Sequence, residues 1–308
     1  MKNRYRHIAL VGLGLIASSI VHAARRAGYD GRITGSARSA ETRETALRLG
    51  LVDEVFDANA DAVQGADLIV LCVPVGVMGD VAQEIAPVLS PGATVTDVGS
   101  VKTKIIDLVG PHIPQGVHFI PGHPIAGTEK SGPEAGFAEL FDNRWCLFTP
   151  QEGTDPDALA KLTGFWQELG AKIDVMEAGH HDLVLAVTSH APHLIAYTMV
   201  GVADDMKRIN ETEVVNYSAA GFRDFTRIAA SDPTMWRDVF LNNREATLEI
   251  LGRFTEELFA LQRAIRLGDG DHLHDYFSRT RAIRRGIVDA GQDTDAADFG
   301  RHTPGKTR

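Results

Sequence analysis

From Met1 to about Glu177 the chain alternates short β-branched and aliphatic runs with segments of helical periodicity. The runs His7–Val11, Arg32–Ser36, Leu68–Val73, Thr94–Val98, Val117–Ile120, Cys146–Thr149 and Lys172–Met176 predict strands. Stretches such as DLIVLCVP are apolar without alternation, the pattern of parallel strands that helices cover on both faces. The expectation for residues 1–178 is a doubly wound α/β domain.

After Gly179 the pattern becomes helical, with no convincing strand up to residue 290. Asp182–Val200 is apolar nearly all round, as in a helix buried among others. From Trp236 to Leu267 the apolar residues Trp236, Phe240, Ile250, Phe254, Leu258, Leu261 and Ile265 recur at helical spacing. One helix of about 30 residues would be roughly 45 Å long. That exceeds what so small a domain needs, so this all-α half is expected to pack against a second copy of the chain. Residues 291–308, GQDTDAADFGRHTPGKTR, are polar and aperiodic and read as a disordered tail. The length of 308 residues agrees with two domains.

Composition narrows the function. With 44 % hydrophobic and 23 % charged residues the chain is ordinary globular protein. No apolar run reaches the 18 or so residues of a membrane span, so a soluble protein without a membrane partner is expected. The start, MKNRYRHIALVGLG, is basic and then breaks into glycines with no small-residue cleavage site, which points to the cytoplasm. Cys72 and Cys146 lie inside strand-like runs without zinc spacing, so both read as core and no metal is expected. A net charge of −10 disfavours nucleic acid. An anionic small molecule would need locally placed cations.

The chemistry-bearing residues cluster at predicted strand ends. In VGLGLIASS, Gly12-x-Gly14-x-x-Ala17 follows a strand and opens a helix at Leu15 and Ile16. Gly12 allows a tight turn, Gly14 allows close approach of a pyrophosphate, and small Ala17 allows helix–strand packing. An NAD site commonly has an acid after the second strand, but Ser36-Ala37-Arg38-Ser39 has none. Arg38 with the serines suits a 2′-phosphate, or Arg38 simply stacks on adenine or faces solvent, so both NAD and NADP stay open. Val73 and Pro74 end the third predicted strand. Ser100 and Lys102 follow the fourth, at the nicotinamide end, although Ser100 serves equally well as N-cap of a helix starting at Val101. GHPIAGTE puts His123 on a bent loop after Val117–Ile120. There its imidazole is either a general base for a hydroxyl losing hydride or a hydrogen-bonded structural histidine.

Further on, SHAPH (189–193) sets His190 and His193 on one helix face, with Pro192 freeing the carbonyl of Thr188 and kinking the helix. They line a pocket wall or are satisfied core histidines. GFRDFTR carries Arg223, Asp224 and Arg227, which form either a carboxylate site or a solvated charge cluster.

Taken in order from Ile8 to about Ala290, the glycine loop, DVGSVK, GHPIAGTE, SHAPH and GFRDFTRIAASDPTMWRDVF resemble the prephenate/arogenate (cyclohexadienyl) dehydrogenase family. The resemblance implies a Rossmann-like domain followed by a helical dimerisation domain. It implies oxidative decarboxylation of prephenate or arogenate with hydride passing to NAD or NADP, in tyrosine biosynthesis. By the same matching His123 takes the ring-hydroxyl proton and Ser100 hydrogen-bonds the substrate hydroxyl or His123. Glu129 belongs to an ionic network at the pocket mouth, and His193 with His190 faces the substrate. Arg227 holds a substrate carboxylate, with Asp224 as its partner in the empty site, and Trp236 caps the partner subunit's pocket or is core. Two other readings compete. A 3-hydroxyacid dehydrogenase of similar design would rely on a catalytic lysine in the helical half, where only Lys207 is available. A dinucleotide sensor would bind cofactor without turnover.

Overall fold

The computed structural model describes residues 4–205 and 219–289; the expected tail at 291–308 and Lys207 lie outside them. Six parallel strands, β1 (His7–Val11), β2 (Arg32–Ser36), β3 (Glu54–Phe56), β4 (Leu68–Leu71), β5 (Thr94–Asp97) and β6 (His118–Phe119), form one sheet in the order β3-β2-β1-β4-β5-β6. The order reverses between β1 and β4, which makes the carboxyl ends of those strands the topological switch point where such folds bind ligands. Residues of β1 and β4 are buried throughout, the physical reason for their unbroken apolar pattern. Helices α1 (Leu15–Arg26), α2 (Ala40–Arg48), α3 (Asn59–Val63), α4 (Met78–Ile85) and α5 (Thr103–Val109) connect successive strands.

The strand β3 was not expected, because three residues with a leading Glu54 carry little apolar signal. Its neighbour Asp53 anchors the entry by accepting the Ile33 N–H at 2.7 Å.

Three further strands leave the main sheet. β7 (Gly122–Pro124), β8 (Trp145–Phe148) and β9 (Lys172–Val175) make a second sheet, β7 antiparallel and β9 parallel to β8. Two of the seven predicted strands therefore belong to this smaller sheet, and GHP is a strand instead of a bent loop. Its proline is tolerated because β7 is an edge strand, where a missing N–H breaks no ladder. Between β8 and β9 runs α6 (Pro156–Glu168), capped by Asp155, whose carboxylate accepts from Asp157 and Ala158 N–H at 2.9 Å. Its Trp166 meets Phe141 edge-on in the core.

The remaining described elements are helical: α7 (Ala178–Leu185), a π-helical turn (Ala186–His190), α8 (Ala191–Asp205), α9 (Ala220–Thr226), α10 (Pro233–Asn242), α11 (Arg244–Leu267) and α12 (Gly270–Asp289). The π turn contains Thr188, whose carbonyl Pro192 leaves without its helical partner, so the expected kink takes the form of a widened turn. The single helix expected over Trp236–Leu267 is two. The break falls at Asn243 (φ −118°, ψ 43°), whose buried side chain is used elsewhere.

Chain contacts define two compact units: one runs to His190 and adds Ala230–Ala246, the other holds Ala191–Ala229 and the chain from Thr247. Composition had placed the boundary at 178/179. In the first unit α10 packs on the turn Val75–Val77, with the Asp238 carboxylate against Gly76. In the second, α8 and α9 pack together.

Among the described residues Ala178–Asp205 is long and apolar enough to cross a membrane by length and mean hydropathy, contrary to the expectation that no stretch would be. Yet it contains His181, Asp182 and His190, all buried and hydrogen-bonded within the first unit.

Gly12 has φ +92°, and a Cβ there would lie 2.6 Å from the Cys72 carbonyl oxygen. Gly12→Ala therefore combines left-handed strain with a backbone clash and is expected to cost roughly 2–4 kcal/mol. The melting temperature should fall by about 5–10 °C, measured by differential scanning calorimetry.

Candidate active site

The carboxyl ends of β1, β4 and β5 and the start of β7 carry the polar residues of the first unit. Beside β1, Gly14 ends the turn and caps α1 without any side-chain hydrogen bond, and no acid occupies the first helical turn. A Cβ at Gly14 would meet nothing within 4 Å. The N–H groups of Leu15 and Ile16 are thus orphan donors at a positive helix end with open space in front, which fits a dinucleotide pyrophosphate. Val73 and Pro74 flank the same crevice: Val73 would touch a Cβ on Gly12, and Pro74 begins the turn Val75–Val77.

After β2 the predicted 2′-phosphate cluster divides. Ser36 is fully buried and its hydroxyl donates to Asn59 Oδ1 at 2.7 Å. Arg38 is exposed, and Arg43 closes the turn by donating to the carbonyls of Ala37 (2.6 Å) and Arg38 (2.8 Å). Ser39 caps α2.

At the end of β5 stands a buried ion pair. Lys102, 0 % exposed, donates from Nζ to Asp97 Oδ2 and, at 2.7 Å, to the Gly122 carbonyl. Asp97 also accepts the N–H of Gly99 (2.8 Å) and of Gly122 (3.2 Å). Burial pushes the Asp97 carboxyl up and the Lys102 ammonium down, both against their mutual attraction. The pair staples the start of β7 to the end of β5. Lys102 is therefore not the open nicotinamide-end group its position in DVGSVK suggested.

His123, in β7, is 7 % exposed. Its Nδ1 lies 2.9 Å from His181 Nε2, and His181 Nδ1 lies 2.9 Å from Asp182 Oδ1. Asp182 also accepts the N–H groups of Lys102 (2.7 Å) and Thr103 (2.9 Å), and so caps α5 from a distant helix. Ser100 is consequently not the cap: α5 starts at Thr103, and half-buried Ser100 lies in the preceding turn. Burial lowers the pKa of both His123 and His181, that of His123 well below 6.5, with its neighbours His181, Lys102 and His190 adding to the effect on His123. Burial tends to raise the Asp182 carboxyl, but its donors outweigh that and hold it below 3.8.

A second polar group backs the first. Asn243 Nδ2 donates to the Asp182 carbonyl (2.8 Å) and to His190 Nδ1 (3.0 Å). The amide cannot be flipped without facing one carbonyl oxygen with another, so His190 Nδ1 accepts and its proton sits on Nε2. Trp236 is buried edge-on to His190, with ring centroids 6.1 Å apart. His123, Ser100, His190 and Trp236 all belong to the first unit, where His190 lies beside both Trp236 and His123. Glu129 is exposed beyond β7. Half-buried His193 and exposed Asp224 and Arg227 belong to the second unit, so the chain contacts divide the SHAPH histidines between units.

Sequence reasoning missed His181, Asp182, Asn243 and Asp97. A lone carboxylate at the head of the apolar stretch Asp182–Val200 was the available signal. Among the described residues no group of three or more His, Cys, Asp or Glu is arranged to hold a metal ion.

The strand order and the glycine loop define a nucleotide-binding α/β protein with an added helical domain. Residues 20–175 match the prephenate dehydrogenase nucleotide-binding domain and residues 177–279 the prephenate dehydrogenase dimerization domain. The chain belongs to the prephenate dehydrogenase family. It is 42 % identical to the cyclohexadienyl dehydrogenase of Zymomonas mobilis over 91 % of this chain and 95 % of that one. Prephenate dehydrogenase from Aquifex aeolicus, solved with hydroxyphenyl propionate and NAD+, superposes with TM-score 0.85 at 34 % identity, covering 92 % of this chain and 98 % of the other. Synechocystis arogenate dehydrogenase gives 0.76 at 32 % identity, covering 91 % and 99 %.

Two measurements test the network. Lys102→Met leaves Asp97 buried without its cation and should cost roughly 3–5 kcal/mol in urea denaturation; adding Asp97→Asn should recover part of it. Because His123 and His181 are held neutral in the fold, the unfolded chain binds more protons below its histidine pKa of about 6.5. Stability should therefore be full above that pH and decline as pH falls toward 5. His123→Asn should flatten that decline, measured as unfolding free energy against pH.

Proposed function

We propose that this chain catalyses the NAD(P)-dependent oxidative decarboxylation of prephenate to 4-hydroxyphenylpyruvate, or of arogenate to tyrosine, in tyrosine biosynthesis. The observation that carries the reading is His123. It is buried, neutral and hydrogen-bonded at Nδ1, beside the carboxyl end of β5 in a nucleotide-binding sheet.

Gly12, Gly14, Leu15 and Ile16 would hold the pyrophosphate, with Val73 and Pro74 along the crevice. The bound nicotinamide supplies the acceptor for the hydride that leaves C4 of the substrate ring. His123 takes the C4-hydroxyl proton as the C–O bond gains double-bond character. The bond from C1 to its carboxylate then breaks, carbon dioxide leaves, and the electron pair completes the aromatic ring. The proton returns to the phenolate oxygen. Ser100, in the turn before α5, would orient the hydroxyl. Aromatisation drives the reaction, so orientation and one proton transfer are the protein's main tasks.

For the cofactor, the turn after β2 carries no carboxylate and exposes the Arg38 guanidinium, which supports acceptance of NADP as well as NAD. A homodimer fits the exposed Leu248, Leu258, Phe259 and Ile265 of α11.

Initial rates with prephenate or arogenate, each with NAD or NADP, followed by reduced-nicotinamide absorbance, test the assignment. Turnover is expected with at least one pair, and none with any pair overturns it. The base must be unprotonated, so kcat/KM should fall on the acid side with an apparent pKa below 6.5. His123→Asn should keep cofactor affinity and lose turnover by roughly 10²–10⁴-fold.

A further inference from the structure

The hydrogen-bond chain behind His123 has a direction, and it runs only one way. An ionised carboxylate accepts and never donates, so Asp182 Oδ1 at 2.9 Å requires the proton of His181 on Nδ1. Neutral His181 then presents a lone pair at Nε2. The contact of 2.9 Å from that nitrogen to His123 Nδ1 is a hydrogen bond only if His123 Nδ1 carries the proton. The lone pair of His123 is left on Nε2, which makes no hydrogen bond to a described residue.

We infer that His181 and Asp182 are positioning residues for the proposed reaction: together they select the Nδ1–H tautomer of His123, leaving Nε2 as the proton-accepting atom, and they stabilise the imidazolium formed when it accepts.

The arrangement is fixed at both ends. Asp182 is immobilised by the Lys102 and Thr103 N–H groups, and its own carbonyl accepts from Asn243. The His123 and His181 rings meet edge-on, with centroids 5.1 Å apart and planes at 63°. The charged or titratable groups facing His123 are His181 on α7, Lys102 before α5 and His190 in the π turn, with the Cys146 thiol taking the His123 backbone N–H. Lys102 meets a carboxylate, Asp97, but is a cation already paired with it. Among the described residues the ring of His123 itself is hydrogen-bonded only toward His181 and through it to Asp182, so that is where an imidazolium charge finds its counter-ion. His181 need not change its protonation state. It passes on orientation and polarisation, and the proton stays on His123 until the product oxygen takes it back.

The inference rests on the reading of His123 as the base, but its first test needs no substrate. Ring-15N histidine labelling of the full chain, with His123→Asn and His181→Leu used to assign the signals, reads both tautomers at neutral pH. Nδ1 protonated and Nε2 unprotonated is expected for both residues; a His123 proton on Nε2 overturns the inference. In His181→Leu, Nδ1 of His123 has no acceptor, so an Nε2–H population should appear and kcat should fall on the order of 10²-fold or more, with cofactor KM within about twofold. The acid limb of kcat/KM should move to lower pH, since the imidazolium loses its support. His181→Gln, which keeps an acceptor and a donor, should restore part of kcat. Unchanged His123 ring shifts and an unchanged acid limb in His181→Leu also overturn the inference. Because the ring spectrum is read on the protein alone, it decides the relay independently of whether the activity assay succeeds.

Discussion

The carboxylate of Asp182 is the constraint on which the site depends. Two backbone N–H groups of the β5–α5 turn and one imidazole N–H converge on it. Hydrogen bonds to a charged partner contribute roughly 1.5–3 kcal/mol each, enough to offset the cost of burying the charge. Through them a residue of α7 dictates where α5 begins, how the turn carrying Ser100 is bent and which way His181 faces. The Asp182 carbonyl adds a further tie by accepting from Asn243, the residue that ends α10 and also orients His190. Three segments distant in sequence are thus locked within one unit.

The Lys102–Asp97 pair works beside it with a different logic. A buried ion pair contributes little net stability because desolvation takes most of the Coulombic gain. What it supplies here is register. Lys102 holds the Gly122 carbonyl while Asp97 holds the Gly122 N–H, so the first residue of β7 is clamped from both sides to the end of β5. His123 follows immediately. Its neutrality comes from the same packing, first because the ring is buried, and then because His181 and Lys102 beside it oppose a positive charge.

The second sheet explains how a histidine can sit at the lip of a doubly wound fold without being mobile. A loop residue there would have its rotamer set by solvent. As a member of β7, His123 pairs with Leu147 of β8, and its backbone is tied into a ladder that β9 extends. Pro124 ends the pairing at an edge where its missing N–H does no harm.

Much of this was legible in the chain. Apolar runs without alternation located five of the six strands of the main sheet, because strands buried on both faces cannot hide their composition. Gly12-x-Gly14-x-x-Ala17 announced its turn, since only glycine tolerates the backbone there. His123 stood out as an ionisable group between prolines and glycines. The short strand β3, the strand character of GHP, the break at Asn243 and the capping of α5 were not legible. Each rests on a partner far away in sequence: β2 for β3, β8 for GHP, His190 and the Asp182 carbonyl for Asn243, and Asp182 for α5. Local pattern reports what a residue prefers, and it determined the layers, the nucleotide loop and the candidate base of this protein. Which donors meet which acceptors depends on separations of a few ångströms between distant segments, so the partners and charge state of His123 were decided only by the tertiary structure.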